Sequence, residues 1–245
     1  MKNNKEIVID FYSKIIGQGN KELADLLIKD DYIQHSPTIE DGKQGILKMI
    51  DMFASLPKSQ NSEKPFYRFV SDGEFVVAHV GISFMGQKRA VVDLFRLEDG
   101  KLAEHWDASE IIPSGIDNMV EGPVEMKEHE ATNRNKKLVA DFINEVMIEG
   151  KDEWDQNVHP HLIQHIPDVE DGILAWKRFA ASQKIEKCHR VLAEGNFVVS
   201  QCSIIGDGEL CAAYDIYRVE DGLIAEHWSV KQKIPEAMAH DNGMI

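Results

Sequence analysis

Two aspartates stand where a strand could carry a carboxylate into apolar surroundings. Asp93 lies within Val91-Val92-Asp93-Leu94-Phe95-Arg96, and Asp215 within Ala213-Tyr214-Asp215-Ile216-Tyr217-Arg218. A carboxylate desolvated in this way has its pKa raised toward the range useful for proton transfer. Removing a proton α to a carbonyl needs such a base and a donor for the developing enolate. The informative residues are then those that share a face with each aspartate. If Met85-Gly86-Gln87 is a three-residue hairpin loop, His79 falls directly opposite Asp93, within hydrogen-bond reach. If Asp99-Gly100 is the two-residue turn its composition favours, Trp106 also faces Asp93, while His105 and Asp107 point the other way. The same spacing puts Gln201 and Trp228 beside Asp215. A one-residue change in the turn would exchange Trp106 for Asp107. A functional Trp-Asp-His cluster competes with a His–Asp pair that merely satisfies itself in a half-buried sheet.

The elements that must position these residues occur twice. Val91–Asp107 returns as Ala213–Ser229 at a constant offset of 122, with the Asp, Arg, Gly and Glu-His-Trp positions all in register. In the first half, Ile7, Phe11 and Ile15, widened by Val8 and Tyr12, make the buried stripe of a helix. Lys21 to Lys29 reads as a second, short helix. Tyr32 to Pro37 reads as extended, because the residue before proline is pushed out of the helical region. Ile46 to Phe53 reads as a third helix that ends before Pro57. The period then changes to two over Phe66–Val70, Phe75–Phe84, Arg89–Leu97 and Leu102–Ile111, four strands joined by glycine turns. Leu138, Phe142 and Val146 repeat the first stripe at an offset of 131, and Gln164-His165-Ile166-Pro167 repeats Gln34-His35-Ser36-Pro37 at 130. The offset falls to 122 only between His165 and Gly195, so the length changes lie among helices and spare the sheet, where register fixes every face. Three helices before an antiparallel meander, given twice, is an α+β layout. Ser114 to Glu130 reads as the linker, with the halves taken as 1–122 and 123–245.

A chain of 245 residues fits two units of that size, each able to bury a core without staples. A net charge of −15 opposes contact with nucleic acid or an anionic membrane. No apolar run approaches bilayer length, and the start is charged too early for a secretory signal. The three cysteines all fall in the second half without a CxxC, which suits a reducing, cytoplasmic setting and buried fillers. His35, His79, His105, Asp93 and Asp107 invite a metal reading, but none has close zinc-type spacing and the second half lacks two of the five, so no metal and no cofactor is expected.

Gln-His-x-Pro before the third helix, followed by D-x-x-R-x-E-D-G-x-x-x-E-H-W on the last hairpin, resembles the SnoaL-like, polyketide cyclase-like branch of the NTF2-like superfamily in both halves. The resemblance implies a cone of three helices on a curved four-stranded sheet enclosing an apolar pocket, a scaffold that hosts several reactions and plain binding modules. It also implies an aspartate acid/base, which falls on Asp93 and Asp215, and a strand histidine, which falls on His79 alone. Phe95, Trp106 and His35 would shape the first pocket, with Tyr217, Trp228, His165 and Gln201 in the second. His35 and His165 would cross the pocket mouths. Arg96 and Arg218, on the opposite face, suit ion pairs. Single-copy relatives pair through their sheets, so the two halves would form an internal pseudo-dimer. Two functions follow: an aldol-type cyclase or isomerase acting on a small apolar carbonyl compound, or a non-catalytic ligand-binding or dimerisation module.

Overall fold

A computed structural model describes residues 2–55, 66–84, 86–116 and 118–245. The first half begins with α1 (Asn4–Asp10), which runs on as π-helical turns over Phe11–Ile16. Asn3 and Glu6 close a capping box at its start, satisfying two otherwise orphaned backbone donors. There follow α2 (Lys21–Leu27), β1 (Ile28–Gln34), α3 (Gly42–Ser55), β2 (Phe66–Asp72), β3 (Phe75–Phe84), β4 (Gln87–Glu98) and β5 (Lys101–Ile111). The second half repeats the order as α4 (Thr132–Asp141) with π-helical turns Phe142–Ile148, α5 (Trp154–Asn157), β6 (Val158–Gln164), α6 (Ile173–Ala180), β7 (Gln183–Glu194), β8 (Phe197–Gly206), β9 (Glu209–Glu220) and β10 (Leu223–Lys233). The expected end of the third helix at Pro57 lies outside the described residues.

Among the described residues each sheet has five strands, where alternation predicts four. The orders are β1-β5-β4-β3-β2 and β6-β10-β9-β8-β7. The extra strands, β1 and β6, run parallel to β5 and β10. The predicted second helix stops at Leu27 because Ile28 already turns into β1. Strand β1 hides from a period-two reading, since its Lys29-Asp30-Asp31 segment is polar and only Ile28, Tyr32 and Gln34 are buried.

Helices cover one face of each sheet, called inner here. Ile7, Val8, Phe11, Ile15, Ile46 and Ile50 pack there against Val76, Phe95, Leu97 and Leu102. Val139, Phe142, Trp154 and Trp176 pack against Val198, Tyr217 and Val219 in the second half. The outer faces meet each other. Val92, Leu94 and Trp106 of the first sheet form one cluster with Val199, Tyr214, Ile216 and Trp228 of the second. Apolar burial of this kind contributes about 25 cal/mol per Å², and both tryptophans are essentially fully buried.

The stretch read as a linker does more than connect. Met119 and Val120 are buried in that central cluster, and the Asn118 carbonyl accepts a hydrogen bond from His165 Nδ1 at 3.0 Å. The C-terminal segment mirrors it on the other half, where the Gly243 carbonyl meets His35 Nδ1 at 2.8 Å and Asn242 Nδ2 donates to the Gln34 carbonyl at 2.9 Å. Ile112-Pro113 with Asn118-Met119 is thus echoed by Ile234-Pro235 with Asn242-Gly243-Met244. Each half ends in a strap laid across its neighbour. Gly122 must be glycine where the first strap passes the second half: its φ is +94°, and a Cβ there would stand 2.9 Å from Trp228. Among the described residues no helix is long and apolar enough to cross a membrane.

Candidate functional site

Strand register decides which residues meet, and it differs from expectation at two places. Phe84 pairs with Gln87, so β3 and β4 close one residue tighter than a three-residue loop allows; Met85 itself lies outside the described residues. His79 is therefore opposite Val92, and Ala78 is opposite Asp93. The Asp99-Gly100 turn is the expected two-residue one, with φ of 52° and 75° as a type I′ turn requires. Past it, however, the pairing slips: Leu97 pairs with Leu102 but Arg96 with Glu104, so Ala103 is the extra residue of a β-bulge. The bulge puts Asp107, not Trp106, opposite Asp93. The second half slips at Ala225 in the same way, which sets Ser229 opposite Asp215.

These shifts turn the expected cluster inside out. His79 and Trp106 lie on the outer face, away from Asp93, as do Gln201 and Trp228 relative to Asp215. His79 Nδ1 meets the Arg68 guanidinium at 3.1 Å, and burial together with that guanidinium pushes the imidazole well below its ordinary pKa. Arg68 in turn lies over the Trp228 ring, 4.1 Å from its centroid, and Arg190 lies over Trp106 at 4.2 Å. Arg190 is hydrogen-bonded to Gln201, whose amide also donates to the Tyr214 hydroxyl at 2.8 Å. His35 and His165 are not mouth residues of an inner pocket: they stack on Trp106 and Trp228 at 4.7 and 4.2 Å and bond Glu104 and Glu226. Arg96 and Arg218 complete these chains through Glu104 at 2.9 Å and Glu226 at 2.6 Å. Each half thus clamps its tryptophan between its own histidine and the other half's arginine.

The inner face of the first sheet holds a different constellation, built by β4, β5, the π-helical turns and the end of β1. Asp93 is almost buried; Tyr12 donates to its Oδ2, and His105 Nε2 lies 2.9 Å from its Oδ1. His105 stacks on Phe95 at 4.7 Å. Its Nδ1 meets Gln34 Oε1 at 3.0 Å, and that same oxygen accepts from the backbone N–H groups of His35 and Ser36 at 3.0 and 2.9 Å. Three donors on one oxygen fix the Gln34 amide and make His105 Nδ1 a donor. The link from Nε2 to Asp93 must then carry a second proton, held as an imidazolium–carboxylate pair or as an acid–imidazole pair. Burial opposes charge on His105, but Asp93 and then Asp107 outweigh it and raise its pKa.

Asp107 stands beside this pair. Ser36 Oγ donates to its Oδ2 at 3.2 Å, while its Oδ1 is buried and has no hydrogen-bond partner among the described residues. Burial raises its pKa to about 6; His105 pulls it down, Asp93 pushes it up and the Ser36 hydroxyl pulls it down. Tyr12 and Tyr32 are held well above the usual phenol range by burial and then by these carboxylates, so both are neutral donors. Tyr12, Phe69, Ile82 and Val91 form an apolar patch around this end of the face.

The second inner face keeps the frame without the chemistry. His227 lies 3.1 Å from Asp215 and 3.2 Å from Gln164 Oε1. Ile143, Leu162 and Ser229 stand where the first half has Tyr12, Tyr32 and Asp107. Trp176, at the position of Ile46, stacks on His227 at 4.4 Å, beside Tyr217 at 5.1 Å from the same ring. Two cavities adjoin the second half. An open groove of about 790 Å³ runs past Asn118, Gly122, His165 and Glu226, and a cavity of about 230 Å³ is lined by Glu110, Ile166, Phe179, Ser229 and Lys231. Among the described residues no three His, Cys, Asp or Glu side chains are grouped to hold a metal ion.

Tyr12, Tyr32, Gln34, His105 and Asp107 are the site residues that alternation alone misses. For His105 and Asp107 a signal is present: Arg96 and Glu104, repeated as Arg218 and Glu226, form a cross-strand ion pair only in the bulged register.

No family model matches the chain, and no curated protein matches it. Solved structures similar to it include a candidate ketosteroid isomerase from Kribbella flavida, 15% identical, covering 43% of this chain and 83% of that one with a TM-score of 0.37. IdmH, a candidate polyketide cyclase from Streptomyces antibioticus, is 20% identical over 43% of this chain and 90% of its own, with a TM-score of 0.36. A candidate SnoaL-like polyketide cyclase from Jannaschia is 16% identical over 45% and 92%, with a TM-score of 0.35.

Proposed function

We propose that the first inner face is an acid/base site for a small carbonyl compound, of the kind that catalyses an aldol-type closure or an isomerisation. The observation that carries this reading is the buried, unpartnered Oδ1 of Asp107, on a carboxyl whose pKa lies at about 6. A general base works best with a pKa near the operating pH, and an oxygen with no partner in the protein is the one left to take the substrate's α-proton once the face opens to admit it. Asp93, the base suggested by family likeness, has both oxygens engaged by Tyr12 and His105. Its role is to hold His105 in place and, with it, to set the field at Asp107. The neutral phenol of Tyr32, whose oxygen accepts a long bond of 3.4 Å from Gln34, is the donor for the developing enolate. Tyr12, Phe69, Ile82 and Val91 would receive the apolar remainder of the substrate.

The second half, 123–245, acts in this reading as the fixed partner of the first, 1–122, in an internal pseudo-dimer joined by the outer faces. The one feature behind a non-catalytic binding role for that half is the cavity of about 230 Å³ beside Ser229, which would suit only a ligand smaller than drug-sized. The test is solvent exchange of the α-protons of a panel of small cyclic and linear ketones in D₂O. Exchange that vanishes in Asp107→Asn and survives in Asp215→Asn supports the reading. Exchange unchanged in Asp107→Asn refutes it.

A further inference from the structure

All three cysteines of the chain fall at one end of the second sheet's inner face, where Cys202, Cys211, Ile204 and Ala213 cluster and Cys188 packs against them. Two of them are matched more closely than the cluster requires. Cys188 on β7 is directly opposite Cys202 on β8. Directly paired residues of antiparallel strands have Cα atoms about 4.5–5.5 Å apart, inside the roughly 4.4–6.8 Å range that a disulfide spans without backbone movement. Both thiols are free, and Cys188 Sγ lies 3.7 Å from the Arg190 carbonyl, to which it donates. The two differ in access: Cys202 is 1% exposed, whereas Cys188 is half-buried and reaches solvent.

We propose that Cys188 and Cys202 form an oxidisable dithiol, with Cys188 oxidised by a hydroperoxide and Cys202 resolving the product into a disulfide across β7 and β8. The asymmetry of the pair assigns these roles. The Cys202 thiol, donating to the Cys188 sulfur, draws the Cys188 pKa down and its own up, so the accessible sulfur is the better thiolate. In the first step the Cys188 thiolate attacks the O–O bond of the hydroperoxide, giving a sulfenic acid and an alkoxide that takes up a proton. In the second the Cys202 thiol displaces water from that sulfenic acid and forms the S–S bond. Overall two thiols and one hydroperoxide give one disulfide, one alcohol and one water; two electrons pass from sulfur to the O–O bond. Cys211, opposite Ile204, is left as a bystander thiol.

The reduced protein, treated with hydrogen peroxide and then denatured for thiol titration, tests this directly. Its three thiols should fall to one, and non-reducing peptide mapping should join the Cys188 and Cys202 peptides within one chain. Cys202→Ser should strand the reaction at a Cys188 sulfenic acid that dimedone captures, whereas Cys211→Ser should form the disulfide as the parent does. Three thiols surviving, a link involving Cys211, a link between two chains, or sulfinic and sulfonic acids without a disulfide would each overturn the proposal. The map of the parent protein decides even if Cys202→Ser does not fold.

Discussion

The two inner faces share a frame and differ in what fills it. Both present an aspartate on the fourth strand of their half, a histidine two positions before its cross-strand partner, and a glutamine from the parallel strand that fixes the histidine's tautomer. The first half adds two phenols and a second carboxyl; the second replaces them with Ile143, Leu162 and Ser229 and fills the space with Trp176. A His–Asp pair is therefore a structural feature of this scaffold. Chemistry needs more than that pair. What sets the first half apart is a second acid whose burial is uncompensated.

The strongest way to break this comparison is to remove that acid. Asp107→Asn should lower carbonyl α-exchange by about 10²–10⁴-fold, the usual worth of a general base. Asp215→Asn, the corresponding loss on the other inner face, should leave the rate within about twofold. Next in size is the packing contrast. Trp176 is 1% exposed and touches Phe142, Trp154 and His227, so Trp176→Ala should cost about 3–5 kcal/mol in denaturant unfolding. The same loss should leave exchange at the first face unaltered.

A smaller effect sharpens the electrostatic side. Asp107 has a folded-state pKa of about 6, above the ordinary aspartate value. Its protonated form is thus favoured by folding, and that contribution is complete below the ordinary value and lost as pH rises through about 6. Asp107→Asn should then be more stable than the parent above pH 7 by on the order of 1–3 kcal/mol, and the advantage should disappear near pH 4. Urea unfolding at the two pH values measures it. Of similar size is Tyr12→Phe, which removes one hydrogen bond to Asp93 and should cost about 1.5–3 kcal/mol at most. The corresponding Ile143→Tyr should create no exchange activity in the second half.

Much of this architecture is legible in the sequence. The duplication, the helix stripes and the meander follow from periodicities of 3.6 and two that the core enforces. The polar strand β1 escapes, because Lys29, Asp30 and Asp31 break alternation and its pairing is parallel and remote in sequence. The site escapes for a sharper reason. Side chains in a strand alternate, so one tight turn at Gly86 and one bulged residue at Ala103 were enough to send His79 and Trp106 outward and His105 and Asp107 inward. The Asp93 environment was legible as a half-buried carboxylate, but its partner could be read only by asking how Arg96 and Glu104 meet.

The most direct test of the first face as an acid/base site is a titration of the Asp107 carboxyl followed by ¹³C NMR. A midpoint at about 6 is expected, and it should move up when His105, the neighbouring group that pulls it down, is changed to Gln. A midpoint near 4, the value of an ordinary exposed aspartate, would contradict the account.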